Sequence, residues 1–66
     1  MQIMKLKAKM VEQGVNAEKL AKSIGTNRSS LYRKFNKPEK ITVGDVVKIK
    51  DILNISDREA IEIFLR

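Results

Sequence analysis

Apolar positions recur at spacings that divide the chain into five segments. The clearest spans residues 17–24. At about 100° per residue, Ala17, Leu20, Ala21 and Ile24 share one arc, and Glu18, Lys19, Lys22 and Ser23 fill the other side. Asn16 is a natural N-cap and Gly25 a natural stop. A third segment, residues 28–35, sets Leu31 and Phe35 four apart so that both face inward. Asn27 caps it, Asn36 can end it in the left-handed region, and Pro38 blocks continuation. Residues 3–13 alternate Met4, Leu6, Ala8 and Met10 with Lys5, Lys7 and Lys9. Strict alternation is a strand signal, but these residues are mostly good helix formers, so we assign a helix with Gly14 as its cap.

The last two segments carry their own start signals. Thr42-Val43-Gly44-Asp45 comes close to a capping box before residues 43–53. There Val43, Val46, Ile49 and Leu53 lie on one side at helical spacing, with a strand as competitor because the segment is rich in β-branched residues. Ser56-Asp57-Arg58-Glu59 is a full capping box before residues 57–65. In that helix Ala60, Ile61, Phe64 and Leu65 form the inward stripe, and Ile63 lies off it. Ile24-Gly25-Thr26-Asn27 is a tight turn between two short helices, which matches a helix-turn-helix signature.

Composition narrows the chemistry. Sixty-six residues allow one small domain, here residues 1–66, with a thin core. The absence of Cys and His removes disulfides, zinc-finger ligands and an imidazole base. No metal or other cofactor is expected. At 42% hydrophobic residues the chain can form a core, and its apolar runs are too short for a membrane span or signal-peptide core. A soluble, intracellular domain is the expectation.

Charge adds an asymmetry. The net charge is +6, from 14 Lys and Arg against 8 Asp and Glu. Residues 1–40 hold ten cations and three acids, and residues 41–66 hold four and five. No acid interrupts the stretch between Glu18 and Glu39, which contains Lys19, Lys22, Arg28, Arg33, Lys34 and Lys37. A face so charged suits a polyanion, although a Lys-rich solvated surface is the plainer explanation of the charge alone.

The order of these features resembles a known family. Val15 to Asn36, with Leu20-Ala21, Ile24-Gly25, a small polar cap and Leu31, looks like the helix-turn-helix of phage repressor and Cro proteins, the Xre-type family. Thr42 to Leu53 and Asn54-Ile55-Ser56 are similar to its fourth helix and the connection to a fifth. The resemblance runs from about Leu6 to Leu65. From Leu31 onward it looks especially like short regulators of Gram-positive prophages and mobile elements. It implies an all-α, compact, five-helix lambda-repressor-like fold with the motif at helices two and three. It also implies a transcriptional regulator, most simply a repressor, in the bacterial cytoplasm on the nucleoid. One position departs: where the family often has a phosphate-touching Gln at the start of helix two, this chain has Ala17. That contact is then lost, or passes to Asn16 and backbone N–H groups.

In such a motif the second helix enters the major groove and its N-terminal residues reach base edges. Arg28, Ser29, Tyr32 and Arg33 share an arc of about 140°, apart from Leu31 and Phe35. In the family, positions matching Arg28, Ser29 and Arg33 commonly face bases. Arg28 and Arg33 can pair bidentately with guanine, or contact phosphate only. Tyr32 can meet a thymine methyl or bond a phosphate. Asn16, Asn27, Ser30, Lys34, Lys37 and Lys40 are the candidate backbone contacts, with capping as the alternative role of the two Asn. Lys5, Lys7 and Lys9 read as a solvated face. Ile63 and Leu65 are candidate dimer contacts, since a homodimer on DNA would read a two-fold operator.

Double-stranded DNA is thus the expected partner, with no membrane and no small-molecule substrate. Catalysis is not expected: Asp45, Asp51, Asp57, Glu59 and Glu62 follow helix caps and solvent faces rather than forming a paired site. The alternative is a protein-binding module, antitoxin-like or regulator-binding, whose basic face meets an acidic protein.

Overall fold

The computed structural model describes all 66 residues and contains five α-helices with no strand. They are α1 (Ile3–Gln13), α2 (Ala17–Ser23), α3 (Arg28–Asn36), α4 (Val43–Leu53) and α5 (Asp57–Phe64), with a single 3₁₀ turn at Pro38–Lys40. Helix wins over strand in α1 and α4. α1 turns Leu6 inward with Ile3 and Met10 beside it, a spacing of three and four that alternation would not give.

Three of the four connections use one turn. At Gly14, Gly25 and Asn54 the chain takes a positive φ of 65°, 78° and 53°. In each case the next N–H reaches back five residues: Val15 to the Met10 carbonyl, Thr26 to Ala21, Ile55 to Lys50. The N–H of Gly14, Gly25 and Asn54 itself donates to Val11, Lys22 and Asp51. These paired bonds satisfy carbonyls orphaned at the helix end. The residue after each pair then caps the next helix. Asn16, Asn27 and Ser56 accept from the backbone N–H of Lys19, Ser30 and Glu59. The fourth connection, after α3, differs. Asn36 stays helical and Lys37 ends the helix at φ −128°, so the left-handed stop expected at Asn36 is not used. Pro38 instead opens the 3₁₀ turn, where its missing N–H is not needed.

Every helix contributes to the core. Leu6, Leu20, Leu31, Ile49 and Leu53 are the largest fully buried side chains, joined by Ala21, Ile24, Ile55, Ala60 and Ile63. Two positions depart from the periodicity reading. Val43 is 82% exposed, because α4 seats Val46, Ile49 and Leu53 on the core and its first turn leans outside that arc. In α5 Ile63 is buried, while Ile61 is half exposed and Leu65 is open. The cause is that α5 has two neighbours. The N–H of Gln2 donates to the Ile63 carbonyl at 2.7 Å, and Lys9 pairs with Glu59 at 2.5 Å, so α1 occupies the Glu59–Ile63 side. Lys9 is therefore engaged rather than merely solvated.

Candidate nucleic-acid interface

The face of interest is built on α3. Leu31 is fully buried and Phe35 packs partly against the core, which fixes the helix from behind. The arc that holds Arg28, Ser29, Tyr32 and Arg33 is left exposed. Arg28 and Ser29 form its first turn, where no acid is present. Tyr32 leans edge-on against Phe35, with ring centroids 6.2 Å apart and planes at 81°. Its ring also borders an apolar groove with Met10, Val11 and Val15, so it stands at the rim of the polar arc, half exposed. Asn36 joins the arc as a further residue. Once helical it falls between Ser29 and Tyr32 in projection, and it is exposed. Reading Asn36 as a helix stop hid it, although continued helical spacing would have shown it.

The supporting residues separate into three kinds. Asn16 and Asn27 spend their Oδ1 atoms as caps at 2.8 Å, and their Nδ2 donors have no partner within the chain. Lys37 and Lys40 are exposed on the connection after α3 and make no ion pair, as a free cation flank requires. Ser30 and Lys34 sit differently. Ser30 is half-buried off the arc. Lys34 points to α4, where its ammonium meets the Asp45 carboxylate at 2.6 Å. Lys34 is thus not a free cation: it is held in a part-buried ion pair with an acid eleven residues away. A polar cleft along the α2–α3 turn is lined by Glu18, Lys22, Thr26, Asn27 and Arg28.

Asp45 is the only buried charged residue. Burial pushes its carboxyl up, but the Lys34 ammonium and the Thr42 N–H outweigh this and hold it below the usual carboxylate range. It completes a capping box: the Thr42 hydroxyl accepts from the Asp45 N–H at 3.0 Å, and the Asp45 carboxylate accepts from the Thr42 N–H at 3.1 Å. The box on α5 has the same plan. Glu59 accepts from Ser56 and pairs with Lys9 of α1, and these contacts, the Lys9 pair foremost, lower its pKa despite some desolvation.

A second surface lies between α4 and α5. Val43, Val47, Ile61 and Leu65 are exposed there over Val46, Ala60 and Phe64. Lys50 and Asp57 bridge the two helices at its edge, 2.8 Å apart. Of the two candidate dimer contacts, Leu65 belongs to this groove. Ile63 does not, since it is core. No helix is long and apolar enough to cross a membrane. No family model, curated protein or solved structure matches the chain.

Proposed function

We propose that this chain is a sequence-specific double-stranded DNA-binding protein, a helix-turn-helix transcriptional regulator of the phage repressor and Cro kind. In this reading α2 and α3 are the motif and α3 enters the major groove. One observation carries it: α3 has an exposed polar arc of about 140° that holds two arginines, with Arg33 opposite the Leu31–Phe35 anchor and Arg28 at the arc's edge beside Phe35, inside a stretch that holds no acid between Glu18 and Glu39. Arginine pairs bidentately with the guanine edge, and the fixed helix gives it a fixed direction. Lys37, Lys40 and the amide donors of Asn16 and Asn27 flank the arc where phosphate contacts are needed. Lys34 takes no part in contact. Repression then follows from occupancy of a promoter.

A homodimer belongs to the same reading. One module of this size buries too little DNA surface for useful specificity. The groove of Val43, Val47, Ile61 and Leu65 is an apolar surface on the half of the chain that is nearly neutral, where two copies meet without charge repulsion.

Anisotropy titrations against a selected and a random duplex test the reading. Affinity should fall by about 0.9 log units per log salt for each phosphate neutralised. Arg33→Ala should cost about 1–3 kcal/mol on the selected duplex and little on the random one. Equal losses on both make Arg33 a phosphate contact. Absence of binding to any duplex at low salt leaves the protein-binding module, with an acidic protein on the basic face, as the better reading.

A further inference from the structure

The Lys34–Asp45 pair does something a capping box alone does not need. Asp45 would satisfy the Thr42 N–H equally well on an open surface, as Glu59 does for Ser56 near the surface. Instead its side chain is 11% exposed and spends the same Oδ2 atom on Thr42 and on Lys34. Lys34 lies next to Arg33 and one turn from Leu31, at the end of α3 that no Gly turn defines. Leu31 and Phe35 seat the helix on the core from behind, by apolar contact alone. The ion pair adds a polar tie between them in sequence, at Lys34. It joins the C-terminal half of α3 to the first turn of α4, the next helix in the chain, across the 3₁₀ turn that links the two.

We propose that Asp45 is a positioning residue for the reading helix: through Lys34 it sets the direction in which Arg28, Ser29, Tyr32 and Arg33 leave the protein surface. This rests on the DNA-binding reading above. Asp45 touches no base and no phosphate in this account. Its effect is on the ratio between selected and random duplex, because base-edge contacts need alignment and phosphate contacts tolerate misalignment.

The experiment compares Asp45→Asn, Lys34→Gln, the double variant and Glu59→Gln, all at a temperature where circular dichroism shows each folded. Asp45→Asn keeps the side-chain shape and an acceptor for Thr42. Each of the two single changes at the pair should lower the selected-to-random affinity ratio about tenfold, and the double variant should lose no more than either alone. Glu59→Gln removes the matching ion pair on α5 and should leave the ratio unchanged. A simple charge effect predicts otherwise: removing an acid would strengthen DNA binding and removing a cation would weaken it. Opposite signs for Asp45→Asn and Lys34→Gln, or an equal drop for Glu59→Gln, overturn the proposal. Amide hydrogen exchange on the free protein gives a readout without DNA. Asp45→Asn should raise exchange at Leu31–Phe35 more than Glu59→Gln does; unchanged protection there overturns the proposal. Selective loss of protection in a protein that binds no duplex upholds the positioning and removes the DNA reading instead.

Discussion

The α2–α3 and α4–α5 pairs are built on the same turn and present opposite surfaces. Ile24-Gly25-Thr26-Asn27 and Leu53-Asn54-Ile55-Ser56 match residue for residue in backbone role: helix end, left-handed residue, back-bonding residue, next cap. The turn after α1, Gln13-Gly14-Val15-Asn16, is a third copy. A four-residue turn with a left-handed second residue is therefore not the mark of a reading motif in this chain. What separates the pairs is what they leave in water. α2–α3 exposes arginine, lysine and polar side chains, and α4–α5 exposes valine, isoleucine and leucine on a segment with more acids than cations. Backbone chemistry decides where helices end. In the proposed function, the exposed surface decides which pair would meet a polyanion and which would meet another apolar surface.

The comparison can be broken most forcefully in the core. Leu31→Ala should cost about 2–5 kcal/mol in chemical denaturation, since it empties a fully enclosed site. For a chain of this length total stability is on the order of 3–10 kcal/mol, so the variant should lose a large fraction of it and melt well below wild type. Leu65→Ala, on the open groove, should change it by less than about 0.5 kcal/mol. Similar losses for the two would contradict the division between anchor and free surface.

The shared turn gives a smaller test of opposite signs. Gly25→Ala should cost about 1 kcal/mol, because alanine resists the left-handed φ of 78° even though the added carbon meets nothing. Asn54→Gly, at φ 53°, should gain up to about 1 kcal/mol. Melting curves that move both variants the same way would mean the two turns are not equivalent.

Acid tests the joint between the pairs. The Asp45 carboxyl ionises below its unfolded value of about 4, so its contribution is complete above that pH and is lost as pH falls through the folded value. Wild type should lose stability progressively below about pH 4, and Asp45→Asn should lose less over the same interval. Parallel acid curves would show that the pair with Lys34 carries no linkage.

Much of the fold is legible along the chain because caps, left-handed stops and helical periodicity are local. Asn16, Asn27, Thr42 and Ser56 mark four helix starts, and each caps as its type and position predict. Most of the misses are matters of neighbours. Periodicity finds an apolar stripe on α5 but not that α1 flanks one side of it, which buries Ile63 and frees Ile61. Nothing local says that Val43 lies outside the packed arc. The exposed polar arc of α3 is legible because it needs only the pitch of one helix. Lys34 was not, since its partner Asp45 lies on the next helix, and Asn36 was lost by ending α3 one residue early.

Selection of bound sequences from a random duplex pool tests the central claim most directly. The account predicts enrichment of a two-fold sequence with half-sites about 34 Å apart, one turn of DNA, in which guanines recur at fixed positions. Ile61→Glu combined with Leu65→Glu should reduce this to weakly enriched single half-sites. A pool that shows no enrichment over input, with wild-type protein at low salt, would contradict the account.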